Sequence, residues 1–305
     1  MRSPRVLAVA LGVPPRVFEE IVLNPSRHYL PPRVIATSTP GKGRRIDRPK
    51  DPLKRIQRKI HELVVAQLIF PPDLHGGLPG GSPKRLASHH RQQPVVVRID
   101  VADFFPSVTA EMVEDIFGTQ LRCSPQVARR IARLLTLRKE DGSTFLPQGS
   151  PASTVVANLV LDRFDRRVRL AAKRCDVRYD RYVDDLVFSG EKARMVISIA
   201  IGLLASEGFR ISRRKLEVMS NSGAQVAVGL RLNKRLSPSP KFRRSCAELI
   251  ALVRNTEDRE TIRRLRGRLR GKLAHARACE GTFSRRLDVR ISVLEQELSI
   301  RGLLD

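Results

Sequence analysis

The sequence predicts an α+β fold in which strands and helices alternate through the middle of the chain and helices follow at the end. Residues 94–101 form an uninterrupted, mostly β-branched run that is typical of a buried strand. Residues 178–189 predict a hairpin, because apolar residues run into and out of the motif YVDD. Apolar residues recur at helical spacing in residues 53–70 and 261–272, which predicts one helix before these strands in the sequence and one helix after them.

The first 94 residues are divided by proline and glycine clusters, which predict loops. Between the loops, residues 53–70 are expected to form one helix. Its apolar face would comprise Ile56, Ile60, Leu63, Val64 and Leu68. The basic chain start, followed by apolar residues 6–13, resembles a short signal sequence, but two prolines and an arginine follow at once. We therefore expect a small amphipathic helix there.

Three carboxylates are expected to converge in the middle of the chain. Asp184 and Asp185 lie at the predicted tip of the hairpin, where the alternative is a solvated acidic turn. Asp100 ends the predicted strand at residues 94–101. If the two segments are neighbours in one sheet, these charges repel one another unless cations bind. Such a cluster suits two Mg²⁺ ions about 3.5–4 Å apart, the arrangement used for in-line phosphoryl transfer.

The charge of the chain indicates a polyanionic partner. Lys and Arg number 57 against 31 Asp and Glu, and the formal net charge is +26 in 305 residues. The alternative, a basic protein that only coats nucleic acid, does not require a buried carboxylate cluster. Residues 261–272 contain six Lys or Arg and no acid around an apolar stripe, and we expect this helix to follow a phosphate backbone. A solvated helix face is the alternative there.

Three segments resemble the central motifs of reverse transcriptases. They are DVADFF at residues 100–105, LPQGSP at residues 146–151 and YVDD at residues 182–185, in the family's order and spacing. The resemblance implies an RNA-directed DNA polymerase with two Mg²⁺ ions per active site. It also implies a right-hand polymerase fold, with an antiparallel palm sheet covered by helices.

The resemblance also implies three domains. The fingers would occupy residues 1–94 and include the N-terminal helix. The palm would occupy residues 95–236, with part of the fingers inserted, and a small, basic, helical thumb would occupy residues 237–305. The Ser-Pro repeat at residues 237–240 is expected to be the linker into the thumb. This division leaves little chain for a fused ribonuclease H, endonuclease or protease domain.

The resemblance implies a role for each residue that matches a family motif. The implied catalytic metal ligands are Asp100, Asp184 and Asp185, with the backbone carbonyl of Val101 completing a site. The implied nucleotide-binding residues are Arg44, Arg45, Phe105, Gln148, Gly149 and Lys215, of which Arg45 is the first choice for the triphosphate and Arg44 the second. The implied primer grip comprises Gly229 and Leu230.

Two of these roles have specific consequences. Phe105 would be the gate that rejects a ribose 2′-hydroxyl, and the alternative is that Phe104 and Phe105 are both core residues. Lys215 would face the polyphosphate and act as a general acid for pyrophosphate, and the alternative is an exposed lysine on a turn. Gln148 argues against the mutagenic diversity-generating branch of the family, which usually has an aliphatic residue there.

The resemblance is greatest to bacterial retron-type enzymes. The run GKGRRI at residues 41–46, and His75 and His90 with their neighbours, follow that branch. Leu86 departs from its usual Asn, and Ala227-Val228-Gly229 departs from its usual Val-Thr-Gly. Both stretches are linked in that branch to recognition of the cognate RNA. The expected RNA-binding residues are His90, Arg263, Arg264, Arg266, Arg268, Arg270 and Lys272.

The retron-type resemblance implies a set of partners and a setting. A structured non-coding RNA would be template and primer, DNA would start from an RNA 2′-hydroxyl to give a branched RNA–DNA product (msDNA), and deoxynucleoside triphosphates would be the substrates. A host ribonuclease H would remove the template, a separate effector or toxin protein would act with the enzyme in anti-phage defence, and no membrane would be involved. The competing functions are another stand-alone bacterial reverse transcriptase, defence-associated or derived from group II introns, and an inactive polymerase-like RNA-binding scaffold.

The sequence contains further candidate metal ligands among its cysteines and histidines. Four scattered cysteines, without a Cys-x-x-Cys pair, are expected to be free thiols in a reducing cytoplasm. The three histidines at positions 75, 89 and 90 are alternative zinc ligands, but the sequence places no cysteine or carboxylate set around them. A structural or RNA-contacting role is therefore expected for them.

Overall fold

The computed structural model describes residues 1–36, 43–277, 279 and 281–304, so residues 41 and 42 of the fingers motif lie outside the described residues. The helices are α1 Pro4–Ala10, α2 Pro15–Leu23, α3 Leu53–Gln67, α4 Pro83–His89, α5 Phe104–Ser107, α6 Ala110–Asp115, α7 Pro125–Leu135, α8 Ser153–Val160, α9 Asp162–Arg174, α10 Val196–Ser206, α11 Pro240–Arg254, α12 Arg259–Arg277 and α13 Phe283–Ile300. The strands are β1 Arg33–Ala36, β2 Gly43–Ile46, β3 Val95–Asp100, β4 Leu137–Arg138, β5 Thr144–Phe145, β6 Arg178–Tyr182, β7 Asp185–Ser189, β8 Glu217–Ser220, β9 Val226–Ala227, β10 Leu230–Arg231 and β11 Ser237–Pro238.

The central sheet has four antiparallel strands in the order β6-β7-β3-β8. Strands β6 and β7 form the predicted hairpin, and β3 is the predicted β-branched strand. In the register, Asp100 at the end of β3 lies opposite Asp185 at the start of β7. The sheet therefore brings together segments that are about 85 residues apart in sequence.

In the residues that the structure describes, three smaller sheets accompany this one. Strands β1 and β2 pair in the N-terminal part, β4 and β5 form a short hairpin, and β11-β10-β9 form a three-stranded sheet. The expected linker at residues 237–240 is wrong in one respect, because Ser237–Pro238 is a strand paired with Leu230–Arg231. Ser239 then begins α11, its hydroxyl accepting a hydrogen bond from the backbone N–H of Phe242.

The helices predicted at residues 53–70 and 261–272 are present as α3, which ends at Gln67, and α12. Helix α3 buries Ile56, Ile60 and Val64, as expected, and a short N-terminal helix α1 is present. Residues 153–174 form two helices, α8 and α9, divided at Leu161. Helix α9 starts with Asp162 and Asp165 in its first turn, where carboxylates favour a new helix N-terminus. Asp165 in this turn accepts hydrogen bonds from Tyr179 and Arg181 of β6.

The described residues form three apolar core clusters. The largest joins residues of α1–α3 to the central sheet and its helices, so the predicted fingers and palm share one core. A second cluster lies among α11, α12 and α13, which pack against one another. A third lies between α4, the central sheet and β9–β11. No helix in the described ranges is long and apolar enough to cross a membrane, and the four cysteines are free.

Candidate active site

The carboxylates predicted from the sequence meet at one edge of the central sheet. Asp100 and Asp185 are register partners on β3 and β7, and Asp184 lies in the turn that joins β6 to β7. The backbone N–H of Val101 donates to the carbonyl of Asp184 at 3.1 Å, which fixes the turn against the end of β3. The three acidic residues therefore form one cluster, with the backbone of Val101 beside it.

Burial and mutual repulsion make this cluster unfavourable without cations. Burial raises the pKa of the Asp184 carboxyl, and the charge of Asp100 raises it further. Burial, followed by the charges of Asp184 and Asp100, raises the pKa of Asp185 to about 6. Carboxylate oxygens are the ligands that Mg²⁺ prefers, so the donor set and its unneutralised charge fit divalent cations.

Lys215 already supplies one positive charge to this cluster. Its Nζ donates to Oδ1 and Oδ2 of Asp100 at 2.8 and 2.9 Å. Two backbone hydrogen bonds hold the segment before Lys215 beside the end of β3. The N–H of Ala102 donates to the carbonyl of Arg210 at 2.7 Å, and the N–H of Ser212 donates to the carbonyl of Asp100 at 2.8 Å. The predicted polyphosphate lysine thus lies in the site, and in this state its ammonium group is paired with a carboxylate.

The predicted nucleotide-binding turn is joined to strand β2. The backbone N–H of Asp47 donates to the carbonyl of Gln148 at 2.7 Å. Gly149 has φ +121°, and a Cβ there would lie 2.7 Å from the carbonyl oxygen of Asp47. Position 149 therefore requires glycine for both its backbone conformation and this close approach. The contact brings β2, which carries Arg44 and Arg45, against the turn that carries Gln148.

The two fingers arginines have different surroundings. Arg45 donates to Asp47 Oδ1 at 2.7 Å and lies over the Phe145 ring at 5.3 Å from its centroid. Arg44 is exposed, and its positive charge lowers the pKa of the Asp184 carboxyl, opposing the larger effect of burial. Arg44, predicted as the second choice, is therefore the arginine whose charge reaches the carboxylate cluster.

The two phenylalanines after the first aspartate separate into a core residue and a partly exposed one. Phe104 is 2% exposed and packs edge-to-face against Phe209, with ring centroids 5.3 Å apart. Phe105 is only partly buried, and its carbonyl accepts a hydrogen bond from Leu146 N–H at 3.2 Å. Of the pair, Phe105 is the one with ring surface left for a ligand.

The predicted primer grip is a tight turn beside the last helices. Val228 and Gly229 both have positive φ, at 45° and 81°, and the carbonyl of Gly229 accepts from Ser239 N–H at 2.9 Å. A Cβ on Gly229 would lie 3.8 Å from Nε2 of His275 in α12. Leu230 is buried, so the backbone of this turn, rather than the Leu230 side chain, is what a primer could contact.

Several cations of the basic helix α12 have partners within the protein. Arg263, Arg264, Arg268 and Arg270 are exposed. Three of the six predicted RNA contacts on this helix, including Arg270, pair with other residues of the protein. Arg266 and Arg270 donate to Glu295 at 3.0 and 3.3 Å, and Lys272 donates to Ser245 Oγ at 2.7 Å and lies over the Phe242 ring.

His90 does not fit the RNA-binding role predicted for it. Its side chain is completely buried, and its Nδ1 lies 2.7 Å from Ser189 Oγ. It faces inward because α4 packs on the central sheet at β6. The prediction that the His90 side chain contacts RNA is wrong for this structure.

A buried network behind the acidic turn was not predicted. Arg181 is fully buried and donates to the carbonyl of Val183 at 2.7 Å, to Asn158 Oδ1 at 2.9 Å and to Asp165 Oδ1 at 2.9 Å. Asn158 Nδ2 donates to the carbonyl of Gly76 at 2.8 Å. A Cβ on Gly76 would lie 2.6 Å from the backbone nitrogen of Val183, whose φ of 59° is unusual for a β-branched residue. The sequence signal for this network was Arg181, a charged residue inside an apolar hairpin.

Comparison with known proteins decides the family. Residues 35–250 match the family model described as "Reverse transcriptase (RNA-dependent DNA polymerase)". The chain belongs to the reverse transcriptase family. It is 32% identical to the retron Mx65 reverse transcriptase of Myxococcus xanthus over 306 aligned residues, which cover 94% of this chain and 70% of that protein. It is 32% identical to the retron Mx162 reverse transcriptase of the same organism, covering 67% of this chain and 47% of that protein.

These relatives confirm the predicted retron-type branch of the reverse transcriptase family. A solved telomerase from Candida albicans, in a complex with a telomeric RNA fragment, has the same fold with a TM-score of 0.52. It is 10% identical, and the match covers 92% of this chain and 59% of that one. The predicted right-hand polymerase fold is therefore confirmed, and the enzyme class is that of RNA-directed DNA polymerases.

Proposed function

We propose that this reverse transcriptase copies a structured non-coding RNA into DNA by two-metal nucleotidyl transfer, starting from an RNA 2′-hydroxyl. The cluster of Asp100, Asp184 and Asp185 at one edge of the central sheet is the observation that carries the metal-dependent part. The similarity to retron reverse transcriptases supports the RNA and the priming mode. An anti-phage role with a separate effector or toxin protein belongs to the same proposal.

The three carboxylates and the carbonyl of Val101 would hold two Mg²⁺ ions. Bound there, such ions would lower the pKa of the attacking hydroxyl and offset the charge of the leaving pyrophosphate. Asp184 and Asp185 are the groups whose buried charge most needs such neutralisation, because both have a raised pKa. Their burial, together with the family, supports the proposed requirement for metal.

The neighbouring residues would bind and select the nucleotide. The exposed guanidinium of Arg44 is available to two phosphate oxygens at once. Lys215 would release Asp100 and donate to the polyphosphate, protonating pyrophosphate as it leaves. The ring of Phe105 would exclude a ribose 2′-hydroxyl, and Gln148 with Gly149 would support the base pair. The turn at Gly229 would position the primer end, with the RNA backbone along the exposed arginines of α12.

Outside the active site, the proposal requires further partners. The substrates are deoxynucleoside triphosphates, and the product is DNA that remains joined to its RNA. We propose that a host ribonuclease H removes the copied template. The site of action would be the cytoplasm.

The first test is primer extension by the full-length protein on an RNA template. The Asp184→Asn, Asp185→Asn double variant should abolish deoxynucleotide incorporation, because two metal ligands lose their charge. The control Asp141→Asn, Asp258→Asn changes two exposed carboxylates, one between β4 and β5 and one just before α12, and should leave incorporation intact. Full incorporation by the active-site double variant would contradict the metal assignment.

The second test concerns the RNA and its priming. The protein is purified from its native host, and the nucleic acid bound to it is sequenced and treated with a debranching enzyme. One discrete RNA joined to DNA through a 2′–5′ branch supports retron priming. Unbranched DNA on a discrete RNA would assign another stand-alone reverse transcriptase, and a biological role that survives in the inactive double variant would assign a scaffold.

A further inference from the structure

Three histidines surround one buried aspartate on the side of the central sheet that carries α4. Asp180 in β6 has a side chain that is 2% exposed. Its Oδ1 lies 2.6 Å from Nε2 of His75. Its Oδ2 is approached by Nδ1 of His89 and, at 3.0 Å, by Nε2 of His90. The carboxylate that the sequence did not place near these histidines is thus supplied by the hairpin.

The four side chains come from three separate segments. His89 is the last residue of α4 and His90 follows it directly. The backbone N–H of His75 donates to the carbonyl of Arg181 at 2.9 Å, so the loop before α4 runs along the edge of β6. Any group that bound these side chains together would fasten the loop and α4 to the strand that leads into the catalytic turn.

Hydrogen bonding does not account for the whole cluster. Nδ1 of His90 is engaged by Ser189 Oγ at 2.7 Å. Nε2 of the same ring is buried and has no hydrogen-bond partner, although it lies 3.0 Å from Asp180 Oδ2. If Nδ1–H donates to Ser189, a lone pair on Nε2 faces a carboxylate oxygen. A cation bound to both atoms would remove that repulsion.

We propose that His89 Nδ1, His90 Nε2 and Asp180 Oδ2 bind a Zn²⁺ ion, and that His75 orients the Asp180 carboxylate through Oδ1. The candidate ligand atoms of these three residues all lie within 4.8 Å of one another. Two imidazoles and a carboxylate are a common zinc set, whereas Mg²⁺ prefers oxygen ligands alone. A hydrogen bond to the ligating carboxylate is the usual support for such a site.

The remaining ligand position would face solvent. The His89 side chain is 49% exposed and lines a cavity of about 580 Å³. Water from this cavity can complete a tetrahedral arrangement. The ion would serve a structural purpose, because it joins α4 and the His75 loop to β6 four residues before Asp184.

The test is zinc binding by the full-length protein in the Asp184→Asn, Asp185→Asn background, where the catalytic carboxylates cannot compete for the ion. Zn²⁺ is added, excess is removed by dialysis, and bound zinc is measured by elemental mass spectrometry. We expect one zinc per chain. The affinity is then measured by competition with a chromophoric chelator.

The decisive variant is His89→Gln, because a partly exposed side chain can be changed without disturbing the core. It should lose the bound zinc, whereas the matched control His28→Gln should retain it. His75→Gln should weaken zinc binding by about 10–100-fold, the usual effect of losing a residue that hydrogen-bonds to a metal ligand. If the parent binds no zinc, or if His89→Gln binds as much as the parent, the proposal is wrong.

Spectroscopy and stability give independent readouts. X-ray absorption at the zinc edge should show nitrogen and oxygen ligands without sulfur, and a sulfur ligand would move the site to a cysteine and overturn the assignment. A chelator should lower the melting temperature of the parent and leave that of folded His89→Gln unchanged, because only the parent gains stability from bound metal. An equal shift in both proteins would also contradict the proposal.

Discussion

The ammonium group of Lys215 lies 2.8 and 2.9 Å from the two carboxylate oxygens of Asp100. A lysine expected to act on the leaving group is therefore paired with a predicted metal ligand, where it offsets part of the charge of the acidic cluster. Binding of cations and nucleotide would make this pairing unnecessary and free the lysine for the polyphosphate. Lys215 and the proposed metal ions would thus compete for the same carboxylate.

Replacing Lys215 by methionine should change metal binding and catalysis in opposite directions. The Lys215 side chain is 52% exposed, so its ion pair is worth at most about 1 kcal/mol and Mg²⁺ affinity should rise by no more than about fivefold. Single-turnover incorporation should fall by about 10²–10⁴-fold if the lysine is the general acid. Arg214→Met, next to it and exposed, is the control. An unchanged incorporation rate in Lys215→Met would remove the general-acid role.

The buried ion pair behind the turn should control stability. Asp165→Asn leaves the fully buried guanidinium of Arg181 without its carboxylate, which costs about 3–5 kcal/mol in the free energy of unfolding. Asp162→Asn, in the same first turn of α9, breaks only a partly exposed pair with Arg166 and should cost less than about 1 kcal/mol. Denaturant unfolding of the full-length variants measures both, and equal losses would contradict the special role of Arg181.

The sequence was sufficient where a local pattern determines the structure. The β-branched run and the apolar hairpin specify β3, β6 and β7, and the placement of Asp100 beside Asp185 followed from putting these strands in one sheet. The family motifs added the positions of Gln148 and Lys215. The apolar stripe of α12 could also be predicted, because Leu265 and Leu269 recur at helical spacing, and both are buried.

The sequence was insufficient where a side chain's partner lies far along the chain. Arg266 meets Glu295 only because α12 packs on α13. The sequence of α12 alone therefore could not show that the Arg266 guanidinium pairs within the protein. His90 is buried because α4 lies on the sheet, although its segment is polar. Asp180 meets His75 across 105 residues. Local periodicity contains no information on such pairs.

The phenylalanine pair offers a test of nucleotide selection. Phe105→Ala should increase the use of ribonucleoside triphosphates, because an apolar wall rejects an added hydroxyl by about 10²-fold at most and its removal relaxes that preference. Phe104→Ala should instead destabilise the fold by about 3–5 kcal/mol, since Phe104 is 2% exposed and packs on Phe209. Competition between matched deoxy- and ribonucleotides gives the selectivity, and thermal unfolding gives the stability. If Phe105→Ala leaves selectivity unchanged, Phe105 is not the gate.

The exposed arginines of α12 should contribute to the salt dependence of RNA binding. Each phosphate contact contributes about 0.7–0.9 to the slope of log affinity against log salt concentration. The triple variant Arg263→Gln, Arg264→Gln, Arg268→Gln should therefore reduce the slope by about 2–3 and weaken binding at low salt. Its three side chains are exposed, so the fold should be retained.

The matched control for this triple variant removes the same charge from elsewhere on the surface. Arg5, Arg133 and Arg163 are exposed residues of α1, α7 and α9. Their replacement by glutamine lowers the net charge equally, so it changes the general attraction to a polyanion by a similar amount but removes no contact along α12. Binding is measured by fluorescence anisotropy over a range of salt concentrations with a duplex carrying a primer end. Equal slopes for the two triple variants would show that net charge, and not the face of α12, determines affinity, and would leave that face as a solvated surface.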